Sequence, residues 1–473
     1  MQTSQTEQTR TARPRAALAT LGCRLSQAET SMLADQLRRK GYEIVPEHEA
    51  ADLFVLNTCS VTEQAEKDCR YAVRRALRRS PDTFVAVTGC YAQTGVETLR
   101  TIPGIDLLVG TDQKMRLPDL LPLAHDLHKR ETAEVRYSRA IDRTEFSLPG
   151  TAYTDATRAL LKIQDGCNDR CSFCLIPSAR GAERSRALDD VLREAEALLA
   201  VGHRELVLTG VNIGRYQSQG HTLAGLIRRL DQLPGAARIR ISSIEPTTVT
   251  DELLELLNGS RLCRYLHVPL QSGSDRILTA MRRHYGAQDY RRVIERAVAI
   301  CPEVGLGTDV MVGFPGETEQ DFADTRLLLS HLPMSYFHVF SFSARPGTAA
   351  ARMAGSITDS VIAARRKALV ADSATRAAAF HHNLVGTQQM VLFEKRVERG
   401  MRMGTSDHFA HVAVPAEQAE AHQLACVRIT AAAGPLAFGE VVTDAAVPVS
   451  ISPSVAAAPR PLALSRELPV LAI

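Results

Sequence analysis

Ten cysteines are spread over 473 residues, and six of them fall into two sets of three. The tighter set is the run Cys167-Asn168-Asp169-Arg170-Cys171-Ser172-Phe173-Cys174, a C-x3-C-x2-C loop. Thiolates this close can wrap a single metal cluster, and cluster iron is held by cysteine thiolates, normally four. Three without an obvious fourth leave one iron open to a substrate or cofactor. Structural zinc takes four ligands, usually as two C-x2-C-like pairs, and the second pair is missing here. The plainer alternative is packing, because free cysteine is commonly buried. Cys69, Cys263, Cys301 and Cys426 show no comparable pattern and are read that way. The looser set is Cys23, Cys59 and Cys90, spaced 36 and 31 residues apart.

The elements that would position these thiols follow from the apolar pattern. Short apolar runs at 16–21, 52–56 and 84–87 are each followed by one cysteine of the looser set. Helical patterns at 27–39 and 63–79 separate the runs. Alternation of this kind predicts βαβ units around a parallel sheet. Ligands of open parallel sheets bind outside the carboxyl ends of the strands. Three cysteines at three strand ends therefore converge on one edge of the sheet. A second series starts at residue 159. Its strand candidates are 160–164, 205–209, 238–244, 266–270, 307–312 and 337–342, with helical patterns at 188–200, 223–233, 251–257, 289–300 and 319–332. Six strands with helical crossovers predict a partial barrel, with the Cys167 loop at the end where barrel active sites lie. Beyond about residue 385, short strand patterns at 389–394, 409–414 and 425–429 predict a small all-β module.

The expected fold class is α/β. A doubly wound parallel sheet occupies 16–125, a partial (β/α)6 barrel 153–384, an all-β module 385–446 and a tail 447–473. Residues 1–15 are expected to be a loose tail, and 118–155 to hold a closing helix and a linker.

With 45% hydrophobic and 23% charged residues, the chain can form packed cores and is not a disordered polymer. No apolar run reaches the roughly 18 residues of a membrane span, and residues 1–10 contain no apolar export segment. A cytoplasmic location without membrane contact is therefore expected, and metal or redox chemistry for the cysteines rather than disulfides. Net charge is +3, from 56 basic and 53 acidic residues, so only local clusters can argue for nucleic acid. Arg70, Arg74, Arg75, Arg78 and Arg79 form one such cluster. Positions 70, 74 and 78 share a helical face, which suits phosphates as well as plain solvation. Arg180, Arg184 and Arg186 follow the cysteine loop and are the RNA-binding candidates nearest the barrel mouth.

The C-x3-C-x2-C spacing, with Phe173 before the last cysteine, resembles the signature of radical S-adenosylmethionine enzymes. The stretches Leu161-Lys162-Ile163-Gln164-Asp165-Gly166-Cys167, Leu175-Ile176-Pro177, Arg180-Gly181 and Leu208-Thr209-Gly210-Val211-Asn212 narrow the likeness to the methylthiotransferases. So do Ser242-Ser243-Ile244-Glu245-Pro246, Pro269-Leu270-Gln271-Ser272-Gly273-Ser274 and Val312-Gly313-Phe314-Pro315-Gly316-Glu317-Thr318. The likeness runs from about residue 16 to 445. The region of Cys23, Cys59 and Cys90 is similar to that family's second-cluster domain. The final module is placed like its TRAM domain, a small RNA-binding barrel, with part of the pattern around Gly404-Thr405-Ser406-Asp407-His408-Phe409. One branch of the family modifies isopentenyladenosine in tRNA, one N6-threonylcarbamoyladenosine in tRNA, and one an aspartate of a ribosomal protein. Gly22-Cys23 with Gln27 and Glu29-Thr30, Asn57-Thr58-Cys59-Ser60-Val61-Thr62 and Thr88-Gly89-Cys90-Tyr91-Ala92-Gln93 most resemble the threonylcarbamoyladenosine branch.

The resemblance implies replacement of an adenine C2–H by S–CH3. That carbon is not acidic and has no leaving group, so a cofactor must supply radical chemistry. The resemblance makes Cys167, Cys171 and Cys174 catalytic. They would hold a 4Fe-4S cluster whose open iron binds S-adenosyl-L-methionine, reduced by a donor such as flavodoxin or ferredoxin and yielding a 5′-deoxyadenosyl radical. Cys23, Cys59 and Cys90 would hold a second 4Fe-4S cluster that carries the sulfur. Phe173, Thr209, Gly210, Asn212, Glu245 and Gln271 are the cofactor-binding candidates, with a turn at Gly313, Pro315 and Gly316 near the adenosine. The implied partner is the anticodon loop of tRNA. A ribosomal protein side chain is the alternative substrate. A two-cluster electron carrier or cluster-delivery protein is the non-enzymatic alternative, and it needs neither a barrel nor an open iron.

Overall fold

Strand residues that alternate between two covered faces dictate the first module. In the computed structural model, which describes residues 13–60, 63–139, 141, 157–235 and 237–442, six parallel strands form one sheet. Their order is Glu43–Val45, Arg15–Thr20, Leu53–Thr58, Phe84–Gly89, Leu107–Val109 and Glu134–Arg136. Phe54, Leu56, Val85 and Val87 pack on one face beneath the helix Glu63–Arg79. Leu53, Val55, Phe84 and Ala86 pack on the other with Leu33 and Leu37 of the helix Arg24–Arg39. The sheet is thus doubly wound. Its order reverses at Arg15–Thr20, the kind of crevice in which such sheets bind ligands. The stretch 118–155, expected to be a closing helix and linker, contributes the sixth strand. Glu134–Arg136 is three residues long and largely exposed, so neither length nor apolar pattern marks it. The segments 1–12, 142–156 and 447–473, together with Val61 and Thr62, lie outside the described residues.

The second βα series forms the expected arc. Ala159–Lys162, Glu205–Thr209 and Arg238–Ile241 make one parallel sheet, and Tyr265–His267, Gly305–Val312 and Tyr336–Ser341 another. A parallel bridge between Ile239 and Leu262 links the two. Leu206, Leu208, Leu266, Val268, Leu306, Val310 and Phe337 point outward into a single core under the helices. Alternation along each strand then turns Tyr265, His267, Asp309, Tyr336, His338 and Phe340 into the lumen of the arc. A 24-residue helix, Asp359–His382, follows the last strand and seats Leu369 in the same core.

The C-terminal module is a closed barrel of five strands: Gln388–Glu398, Met401–Ser406, His411–Pro415, Leu424–Ala433 and Leu436–Val441. Three of these are legible as strand patterns. Met401–Ser406 escapes because Arg402, Gly404, Thr405 and Ser406 break the apolar alternation. The module is anchored at the amino-terminal side of the strand Arg238–Ile241. Arg238 donates to the carbonyls of Met390 (2.9 Å) and Thr405 (2.8 Å), and Arg240 to those of Ser406 (2.9 Å) and Asp407 (3.2 Å). Buried Glu205 accepts from both guanidinium groups. Among the described residues no helix is long and apolar enough to cross a membrane.

Candidate metal-cluster site

The loop carrying Cys167, Cys171 and Cys174 leaves the first barrel strand and is pinned at several points. Cys167 N–H donates to the Gly181 carbonyl (3.1 Å) and Ser172 N–H to the Met281 carbonyl (3.0 Å). Ser172 Oγ donates to the Ala280 carbonyl (2.8 Å). Each sulfur also receives one N–H. Asp169 N–H points at Cys167 Sγ (3.3 Å), Ile176 N–H at Cys174 Sγ (3.4 Å) and Arg283 Nη1 at Cys171 Sγ (3.2 Å). Donors aimed at sulfur stabilise thiolates and tune a cluster held by them. Burial opposes ionisation, pushing the Cys167 thiol up to about 12 and Cys174 up to about 11. Cys171 is raised for the same reason, with Arg283 pulling the other way. Metal loading must therefore displace protons. Three converging thiols with three sulfur-directed donors fit an iron–sulfur cluster with an open iron.

The second triplet is assembled by two close approaches. Gly22 has φ +120°, and a side chain there would meet Cys59 Cβ at 2.8 Å and Cys59 Sγ at 3.0 Å. Cys59 thus presses directly on the residue before Cys23. Gly89, at φ +107°, sits 2.4 Å in the same sense from the Thr58 carbonyl, bringing Cys90 against the strand end that carries Cys59. Cys23 is exposed, while Cys59 and Cys90 are buried. The three strand ends converge as their repeated spacing predicts, and the donor set fits a second cluster.

A buried ion-pair network joins the two modules. Glu29, on the helix that follows Cys23, accepts from Lys114 (2.6 Å), Lys162 (2.8 Å) and both ends of Arg180 (2.9 and 3.1 Å). Asp165 pairs with Lys162 (2.8 Å), Arg180 (3.0 Å) and Arg184 (3.1 Å). Burial acts to raise the Glu29 carboxyl, but the three cations overcome it and hold it well below the ordinary range. Cys90 lies within electrostatic reach of Arg180. Four cations face two carboxylates here, a surplus that suits an anionic cluster alongside.

This network corrects the RNA assignment. Arg180 is 1% exposed and committed to Glu29 and Asp165, so it cannot reach a phosphate. Arg186 is buried against Glu194. Arg184 is mostly buried and spends its guanidinium on Asp165 and on the carbonyls of Arg180 and Ala182. Sequence shows the charge of these residues and not the acids that cover them. On the helix Glu63–Arg79, Arg75 pairs with Glu47, while Arg74 and Arg78 are exposed beside Tyr71.

The cofactor candidates gather around the Cys167 loop. Gln164 accepts from Val211 N–H (2.9 Å) and Asn212 N–H (2.8 Å), tying the second strand end to the first. Gly210 lies against the Gln164 carbonyl, and Thr209 is a buried strand end. Asn212 Nδ2 donates to Asp169 (3.4 Å), and its buried Oδ1 has no partner. An unpaired acceptor beside the cysteine loop fits the amino group of a bound amino-acid moiety. Glu245 meets Arg283, and burial raises its carboxyl despite that partner. Gln271 takes a left-handed φ of +68° at its strand end, a strained conformation of the kind found at ligand sites. Phe173 packs against Ile277, Met281 and Phe314, buttressing the loop. Arg283, Asp169 and Gln164 were not singled out by the sequence, since no local pattern marks a residue that acts through a distant partner.

The lumen adds a constellation that sequence reasoning missed. Asp309 Oδ1 lies 3.0 Å from His267 Nε2 and 3.3 Å from His338 Nδ1. The Tyr265 and Tyr336 hydroxyls meet each other and approach His267 Nδ1 at 3.3 and 3.5 Å. Phe409, from the C-terminal module at φ +67°, stacks on Tyr265 with ring centroids 4.6 Å apart.

Comparison with known proteins places two regions of the chain in known families. Residues 161–329 match the radical SAM superfamily, and residues 15–110 match the uncharacterized protein family UPF0004. The chain is 35% identical to the threonylcarbamoyladenosine tRNA methylthiotransferase MtaB of Bacillus subtilis, over 89% of this chain and 95% of that protein. It is 38% identical to the protein of the same name from Aquifex aeolicus, over 71% and 82%. It is 37% identical to a tRNA-2-methylthio-N(6)-dimethylallyladenosine synthase of Cereibacter sphaeroides, over 89% and 97%. In fold it is similar to the radical S-adenosylmethionine methyltransferase TsrM from Kitasatospora setae, solved with cobalamin and a [4Fe-4S] cluster. That match has a TM-score of 0.52 at 16% identity, covering 87% of this chain and 80% of that one.

Proposed function

Because the chain belongs to the methylthiotransferase family of radical S-adenosylmethionine enzymes, we propose that it converts N6-threonylcarbamoyladenosine beside the anticodon of tRNA to its 2-methylthio derivative. The observation that carries this reading is the pair of cysteine triplets, one on each module, held together across the buried Glu29–Arg180 network. When bound, the clusters and S-adenosyl-L-methionine supply the one-electron chemistry that an unactivated aromatic C–H requires.

The chain's own residues bind and orient. Cys167, Cys171 and Cys174 hold the first cluster, and Arg283 steadies Cys171 while pairing with Glu245. Asn212 and Asp169 face the methionine moiety. Cys23, Cys59 and Cys90 hold the second cluster at the sheet edge, and Glu29 fixes that edge on the barrel. The exposed Arg74 and Arg78, with Tyr71, offer phosphates a cationic face and a base a stacking surface. A reduced flavodoxin- or ferredoxin-type protein serves as electron donor. The relatives' names support the threonylcarbamoyl substrate, since the Bacillus subtilis and Aquifex aeolicus proteins are both named methylthiotransferases of that nucleoside.

The test offers reduced enzyme two tRNAs, one with threonylcarbamoyladenosine and one with isopentenyladenosine, and reads nucleosides by mass spectrometry. Methylthiolation of the threonylcarbamoyl tRNA is expected. Product from the isopentenyl tRNA alone moves the protein to the neighbouring branch, and activity only on a ribosomal protein removes the tRNA reading.

A further inference from the structure

The lumen of the barrel arc is lined by polar and aromatic side chains. On the strand Tyr336–Ser341, His338 and Phe340 are exposed although strand alternation turns them inward, away from the core side of Phe337. Phe340 is 48% exposed, a large apolar ring whose covered edge meets the His338 ring at 6.2 Å between centroids. His338 donates one ring nitrogen toward Asp309, which leaves the other for a ligand. Asp309 is already engaged by two imidazoles, so it offers little to a further cation.

Arg24 completes this wall from the other module. It directly follows Cys23 and is exposed, and its guanidinium lies 5.7 Å from the Phe409 ring centroid. Among the described residues it has no carboxylate partner, whereas the largely buried arginines 180, 240 and 283 are all paired. From Arg24 a row of rings leads through Phe409 and Tyr336 (6.1 Å) to His338 (5.1 Å) and Phe340 (6.2 Å), so a cation with no acid partner among the described residues stands at one end of an aromatic wall that suits a planar ring bearing an anionic, hydroxylated substituent. An isopentenyl group would leave these polar groups unpaired on binding, a large penalty.

We propose that Arg24, His338 and Phe340 form the recognition site for the target nucleoside, with Arg24 pairing the carboxylate of its N6 amino-acid substituent and Phe340 facing the purine ring. This rests on the substrate reading above and assigns the residues that set it. Position supports it: Arg24 adjoins a cysteine of the sulfur-carrying triplet, so pairing the substituent there draws the purine toward that cluster.

The experiment measures equilibrium binding of anticodon stem-loop RNAs to the full-length, cluster-loaded protein by fluorescence anisotropy. The RNAs carry threonylcarbamoyladenosine, its carboxamide analogue, isopentenyladenosine or adenosine at the target position. The native protein should prefer the carboxylate over the carboxamide by about tenfold, the scale of one charge-assisted pair. Arg24→Ala should erase that ratio, Arg24→Lys should keep most of it, and His338→Ala should lower the preference over plain adenosine. Iron content equal to the native protein's certifies each variant. If Arg24→Ala keeps the full carboxylate preference, the assignment is overturned while the substrate reading stands. If the native protein prefers the isopentenyl RNA, both fall.

Discussion

Cys167 and Cys174 each meet a backbone N–H two residues further along the loop, and Cys171 meets the distant Arg283 guanidinium, an environment built for this triplet alone. Iron and sulfide analysis should give about eight of each per chain if both clusters are four-iron. Replacing all three by Ala should halve that content and abolish cleavage of S-adenosylmethionine to 5′-deoxyadenosine. Cys59→Ala should also lose about half the iron yet keep some cleavage, while inserting no sulfur. Equal loss of cleavage in both proteins, with folding intact by circular dichroism, would argue against divided roles. These six residues stand out in the sequence because their spacing is that of metal ligands: three thiols within eight residues, or one thiol per βα unit. The arginines were not legible in the same way. Arg180 and Arg186 are as basic in sequence as Arg74, and only Glu29, Asp165 and Glu194 decide that they are buried in ion pairs. Arg24 carries no marker in the sequence, because what sets it apart is the absence of an acid partner among the described residues.

At the scale of elements, the convergence of the second triplet depends on strand ends that touch. Gly89 is the narrowest point: a methyl group there would strike the Thr58 amide and carbonyl at 2.5 and 2.4 Å, in a backbone conformation that disfavours side chains. Gly89→Ala should push Cys90 away from Cys59. The expected result is loss of about half the iron and about 1–3 kcal/mol of stability, the scale of a strained backbone site, with S-adenosylmethionine cleavage retained. Full iron content in that variant would mean the strand ends need not touch. The helices and strands themselves were readable from periodicity, and Leu188–Ala200 falls at its expected bounds. The short strands Glu43–Val45, Leu107–Val109, Glu134–Arg136, Met401–Ser406 and Leu436–Val441 were missed, and tertiary partners impose them: Glu134–Arg136 pairs with the edge that Leu107–Val109 offers, and Met401–Ser406 takes its place between Gln388–Glu398 and His411–Pro415.

For the whole molecule, the decisive contact is the one that sets one cluster module on the other. Glu29 is buried among Lys114, Lys162 and Arg180, so removing its charge leaves cations facing one another with Asp165 alone to balance them. Breaking a buried pair on one side costs about 3–5 kcal/mol. Glu29→Gln keeps the shape of the side chain and removes only the charge, which separates electrostatics from packing. It should raise hydrogen exchange along Arg24–Arg39 and Ala159–Lys162, the two elements that the network joins, while Leu223–Asp231, packed between the outer helices Leu188–Ala200 and Asp251–Gly259, stays protected. Both iron sites should still fill, because no cysteine is touched, but cleavage of S-adenosylmethionine should proceed without matching sulfur insertion. The pH dependence has a fixed sign. Glu29 has a folded pKa held below its ordinary 4.5, so its contribution is fully present above that value and is lost as pH falls through the folded pKa. Native protein taken below pH 4.5 should therefore gain exchange in the same two elements before the barrel core opens, and Glu29→Gln should show no such step. An unchanged exchange pattern in the variant at neutral pH would mean that packing alone holds the modules together, and the two clusters would then need another explanation for their shared orientation.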